Sequence, residues 1–113
     1  MKERRRFPRI DTAVPVRYKK LRGESAFRRS AVSKNIGEGG ICFSVNDFLP
    51  FACHLTLEIN LPGTPKPVKA VSKIAWIKKG NGHGRYEIGN QFIAVSREDG
   101  EILTDFAGRT LSR

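Results

Sequence analysis

The chain has 113 residues, 39% of them hydrophobic, enough for one small domain and too few for two. It carries 21 Lys and Arg against 11 Asp and Glu, a formal charge of +10. No apolar run approaches the roughly 20 residues that cross a bilayer, and the start Met1-Lys2-Glu3-Arg4-Arg5-Arg6 leads into no apolar signal core. These features set aside a membrane span and point to a cytoplasmic domain. Cys42 and Cys53 are expected there as buried thiols, not as a disulfide.

Residues 1–11 read as a flexible, arginine-rich arm, with four guanidiniums between Arg4 and Arg9. Eleven of the Lys and Arg and three of the acids lie in residues 1–29, a surplus of eight, so the rest of the chain holds a surplus of two. Charge gathered at one end calls for an anionic partner, whether nucleic acid, a small nucleotide or acidic lipid, although a solvated basic terminus also aids solubility. Pro8 fixes its own φ and pushes Phe7 away from helix, so the arm is extended and Arg5 and Arg9 share a face. Four extended residues reach about 13 Å, which lets two long arginines grip opposite parts of a ligand of dinucleotide size.

Residues 12–20 predict a strand with Val14, Val16 and Tyr18 on one face, and Pro15, which cannot donate to a ladder, predicts that it is an edge. A second strand is expected over residues 27–33. The turn Asn35-Ile36-Gly37-Glu38-Gly39-Gly40 follows, then a third strand over 41–45 and a turn at 47–50. Leu55, Leu57, Ile59 and Leu61 alternate with Thr56, Glu58 and Asn60 until Pro62-Gly63 ends the run, the pattern of a half-buried antiparallel strand. Residues 68–78 and 86–95 flank Lys79-Gly80-Asn81-Gly82-His83-Gly84-Arg85 as a hairpin. Ser96 is an N-cap with Asp99 three residues on, and Ile102, Leu103, Phe106, Ala107 and Leu111 recur at helical spacing.

The expectation is an all-β domain over residues 12–113, a six-stranded antiparallel barrel with a C-terminal α-helix from about residue 96. Closure is favoured because it removes exposed edges. Trp76 and Phe92 fall in strand patterns and are expected in the core.

The chemistry concentrates in the arm and the glycine turn. A guanidinium fork bonds two phosphate oxygens at once, matches the O6/N7 edge of guanine and stacks on a purine, which an ammonium does less well. Asn35 offers a donor and an acceptor to a base edge, and Gly37, Gly39 and Gly40 let backbone amides approach a ligand. Taken alone, the turn is also what any tight strand connection requires. His54 and His83 pair with neither cysteine at a metal spacing, and no nucleophile motif, HExxH or P-loop appears, so neither metal nor catalysis is expected.

In order and separation, these two elements resemble the PilZ domain family, a six-stranded barrel that receives cyclic di-GMP. The family's RxxxR arm is matched by Arg5-Arg6-Phe7-Pro8-Arg9, preceded by Arg4, and its D/N-x-S-x-x-G turn by Asn35 through Gly40 except at the serine. Ala75-Trp76 and the stretch 86–92 resemble the family's later strands. The resemblance implies that Arg5 and Arg9 bind phosphate and guanine groups, Arg4 assists at the hinge, Asn35 reads a guanine edge and Gly40 permits the close turn. Gly37 stands where the family presents a hydroxyl. It further implies a receptor that is not an enzyme, with cyclic di-GMP as ligand, no cofactor and a downstream protein partner. Two alternatives remain, a member without ligand affinity that serves as a protein adaptor and a basic barrel that binds nucleic acid.

Overall fold

The computed structural model describes residues 9–27, 29–80, 82 and 84–111. Seven strands precede one helix: β1 (Arg9–Ile10), β2 (Pro15–Lys20), β3 (Arg29–Gly37), β4 (Gly40–Val45), β5 (His54–Ile59), β6 (Val68–Lys79), β7 (Tyr86–Val95) and α1 (Arg97–Leu111). All pairings are antiparallel, in the order β1-β3-β2-β5-β6-β7-β4, and a further β3–β4 pairing closes β2 to β7 into the expected six-stranded barrel. The two-residue β1, drawn from the arm, adds to β3 outside that circuit.

Period-2 alternation lines the barrel. Val14, Val16 and Tyr18 from one side and Leu55, Leu57, Ile59 and Leu61 from the other are all buried, meeting Ile36, Ile41, Phe43, Ile74 and Ile88 in one core. At the N-terminus of α1 the Asp99 amide donates to Ser96 Oγ at 3.1 Å, the anticipated cap. The helix packs on β1, β3 and β6 and sinks Leu103 and Ala107 out of solvent.

Three expectations are corrected. The strand containing Pro15 is internal, paired with both β3 and β5. The proline is tolerated because it is the first residue, where its carbonyl still accepts from Asn60 N at 3.0 Å and the neighbouring Val14 amide donates instead to Ser33 Oγ at 2.9 Å. The strand expected over 27–33 instead runs from Arg29 through Gly37, so Asn35 and Gly37 are strand residues and only Glu38 and Gly39 form the turn. Of the cysteines, both free, Cys42 is buried but Cys53 only partly so.

Candidate ligand-binding face

Of three irregularities in the ladder among the described residues, two shape this part of the outer surface of the barrel. On β3, Ser33 pairs with Phe43 but Asn35 pairs with Cys42, so Lys34 is an extra, unpaired residue. On β6, Ile74 pairs with Asn90 but Trp76 pairs with Gly89, so Ala75 is likewise extra. A bulge of this kind breaks the strict alternation and turns two consecutive side chains to one face. Ser33 and Ile36 point inward and are buried, while Lys34 and Asn35 both face out; Ile74 is buried, while Ala75 and Trp76 both face out.

The registers then set Asn35, Cys42, Gly89 and Trp76 side by side on β3, β4, β7 and β6. With strands about 4.8 Å apart, the row from Asn35 to Trp76 spans about 14 Å. Gly40, Gln91 and Lys73 form the next row toward the β3–β4 turn, and Ser44, Glu87 and Lys78 the next row away from it. The middle of the face is therefore built from small residues, Gly40, Cys42 and Gly89, between polar and aromatic flanks.

Trp76 corrects the core expectation: it is half-buried on the outer face with its indole lying flat over Gly89. A Cβ built at Gly89 would stand 2.2 Å from Trp76 Cε2 and Nε1, so only glycine admits the ring there. Lys78 Nζ lies 5.8 Å from the indole centroid. Phe92 is only partly buried, packed against the core from one side.

Glu87 is a buried carboxylate on this outer surface, held by Lys34 and, at 3.2 Å, by Lys78. The bond from Lys34 holds its carboxyl below the usual carboxylate range, with Lys78 adding to this and burial opposing it. Lys34 is shifted upward by the same contact. Both lysine side chains are more than half exposed, at 57% and 66%, so an anion can approach them from solvent.

Of the residues singled out from the sequence, Arg9 lies opposite Gly37 and Ile10 opposite Ile36, through which the end of the arm is stitched to the strand that enters the glycine turn. Gly37 and Gly40 are buried at the two ends of that turn, and Asn35 is half-buried two residues upstream. The turn is also tied to the helix, where Thr104 Oγ1 lies 2.9 Å from Glu38 Oε2 and 3.0 Å from Gly100 O and donates its single proton to one or the other. Arg4 and Arg5 lie outside the described residues, as does His83; His54 is exposed on β5. Among the described residues no group of three His, Cys, Asp or Glu could hold a metal. Sequence reasoning missed Lys34, Cys42, Trp76, Glu87 and Gly89 as neighbours of the turn. The signal was available only in part: a lone glycine in a strand marks close approach of another group, but which group depends on a bulge.

A closed six-stranded barrel whose appended strand sets Arg9 opposite Gly37 of the glycine turn defines the class. The sequence matches the PilZ domain family over residues 3–109, and the chain belongs to that family. In fold it is similar to the Bacillus subtilis inhibitor of motility MotI/DgrA, with a TM-score of 0.79 and 21% identity over 98% of this chain and 52% of that one, so it spans about half of that protein. It is also similar to the PilZ domain of YcgR from Escherichia coli in its structure with c-di-GMP, with a TM-score of 0.72 and 16% identity over 97% and 93% of the two chains. The PilZ domain of CeSA from a cellulose-synthesizing bacterium gives a TM-score of 0.64 and 16% identity over 94% of this chain and 99% of that one. Among curated proteins none matches the chain in sequence.

Proposed function

We propose that the chain is a cyclic di-GMP receptor domain that acts through a protein partner and catalyses no reaction. The observation that carries this reading is the pairing of Arg9 with Gly37, which sets the last arginine of the RxxxR motif against the turn at the edge of a face about 14 Å wide. In this reading Arg4, Arg5 and Arg9 bind the ligand's phosphate and guanine groups, Asn35 takes a guanine edge, and Gly37 and Gly40 leave room for its approach. The indole of Trp76 offers a surface for a purine, and Lys34 and Lys78 add positive charge for its phosphates. The YcgR domain, similar in fold, was solved with this ligand, which supports the choice.

Binding draws Arg5 down beside Arg9, whose backbone already pairs with Gly37, and the liganded arm changes the surface that a partner meets. Calorimetry with cyclic di-GMP against its linear and adenine counterparts tests the reading. Selective binding that disappears in the Arg5→Ala, Arg9→Ala double variant is expected, together with slower amide exchange in residues 2–10 on binding; no heat with any of the three removes it. Gly37, which lacks the family's hydroxyl, favours one second reading, a protein adaptor without ligand affinity. Partner binding kept by the double variant and unresponsive to the nucleotide selects that one.

A further inference from the structure

The barrel end remote from α1 carries a feature that nucleotide binding does not use. The described residues of three connections meet there: 21–27 between β2 and β3, 46–53 between β4 and β5, and 80, 82, 84 and 85 between β6 and β7. They are lashed together. Arg29 bonds Glu24 at 2.6 Å and Asp47 at 2.7 Å, joining the first two, and Phe48 packs edge-on against Tyr86 at 5.6 Å, joining the second to the start of β7. The amide of Leu21 donates to His54 O at 3.0 Å.

From this braced end three large apolar side chains project into solvent: Leu21 at 44%, Phe48 at 65% and Phe51 at 68% exposure. Between Phe48 and Phe51 the chain turns inward to bury Leu49, then passes through Ala52 at φ 67°, a left-handed conformation that costs a residue with a Cβ roughly 1–2 kcal/mol. A loop that hides one apolar residue and holds two aromatic ones outward at the expense of backbone strain is built to present them. Charge at this end is one-sided. Its described acids, Glu24 and Asp47, are both engaged by Arg29, while Arg22, Lys79 and Arg85 are exposed and make no ion pair among the described residues.

We propose that this end docks on an anionic lipid surface, with Phe48, Phe51 and Leu21 entering the interfacial layer and Arg22, Lys79 and Arg85 facing the headgroups. The hollows at this end, one lined by Glu24, Ser25 and Arg29 and the other by Asn46, Asp47 and Arg85, include none of Leu21, Phe48 and Phe51, so the three apolar side chains stand apart from them and enter a fluid interface without needing matching pockets. A second copy of the chain would bring like charges together, whereas acidic headgroups neutralise them.

Flotation of the intact chain with phosphatidylcholine vesicles, with or without phosphatidylglycerol at about a third of the lipid, tests this. Association with the anionic vesicles alone is expected. It should fall about tenfold or more in the Phe48→Ser, Phe51→Ser double variant and on the order of tenfold when Arg22 and Arg85 are changed to Glu. Should the serine variant melt differently from the parent, Phe51→Trp in a Trp76→Phe background gives a second reading, a blue shift of emission on anionic vesicles. No association, equal association of parent and serine variant, or no emission shift overturns the proposal. So does equal binding to both lipid mixtures, or capture by an acidic protein with none by vesicles.

Discussion

At Gly89 the absence of a side chain is what the outer face is organised around. Alanine there forces the indole of Trp76 off the sheet, because the clash is with the ring's interior edge and its nearest atoms sit 2.2 Å away. The ring can swing out, since it lies on the surface, so the expected cost is about 1–3 kcal/mol and not unfolding. Trp76 is the single tryptophan, which makes its emission a clean report. Gly89→Ala should shift that emission to the red and lower the midpoint of chemical denaturation, and the same change in a Trp76→Ala background should cost much less. Equal costs in both backgrounds would show that the ring and the glycine are not coupled. Gly37 makes the opposite case, a side chain whose addition is expected to help. Serine there supplies one hydroxyl at the very residue that pairs with Arg9, worth about 0.5–1.5 kcal/mol, or a two- to thirteenfold tighter complex with cyclic di-GMP. Unchanged or weaker binding in a titration counts against the geometry proposed for the turn.

Among the elements, β3, β6 and β7 are linked on the outside by the contacts of Lys34 and Lys78 with Glu87. Because the carboxyl is held below its ordinary 4.5, the unfolded chain takes up the proton first as the solution is acidified. The stabilisation is fully present above pH 4.5 and is lost as pH falls through the folded value. Glu87→Gln should therefore flatten part of the acid limb of a stability-against-pH curve; the rest belongs to carboxylates such as Glu24, held down by Arg29. An acid limb identical to the parent's would mean that the three charges do not interact in solution. At the helix, Ser96→Ala removes the acceptor of the Asp99 amide and should cost about 0.5–2 kcal/mol by denaturation, less if solvent replaces it. That cap was legible in the sequence, as were the alternating faces of β2 and β5, because each depends on residues near one another in the chain. The bulges at Lys34 and Ala75 were not, since a bulge is a property of two paired strands and leaves the period of each half intact. For the same reason the arm and turn could be named from their residues, whereas Trp76, read by its period as core, turned out to lie on the outer face, three strands across from Asn35. Pro15 misled in a related way: the rule against proline inside a sheet applies to the N–H it lacks, and at the first residue of β2 the register does not ask for it.

For the whole molecule, the face on which ligand binding is proposed exists only when the barrel is closed, because its residues come from β1, β3, β4, β6 and β7. An unfolded chain keeps the cations but not the row from Asn35 to Trp76, so a ligand that needs the row binds the native state alone. Mass action then gives a stabilisation of about 2.7 kcal/mol at a hundredfold excess over the dissociation constant. For a domain of this size that raises the melting temperature by roughly 10 °C. A nucleic-acid polymer would also bind the native barrel, through its +10 charge, but by displacing counterions. The two are separated by salt. Contacts with six phosphates carry a log-log slope of about −5, so stabilisation by a polymer should vanish between low and moderate salt, whereas that by a two-phosphate ligand held through guanine edges and stacking should persist. Melting curves with cyclic di-GMP and with duplex DNA, each at two salt concentrations, are expected to show a salt-tolerant rise with the dinucleotide and a salt-sensitive one at most with DNA. No rise with the dinucleotide at either salt would leave the adaptor reading standing, and a rise with DNA that survives moderate salt would return the basic surface to nucleic acid.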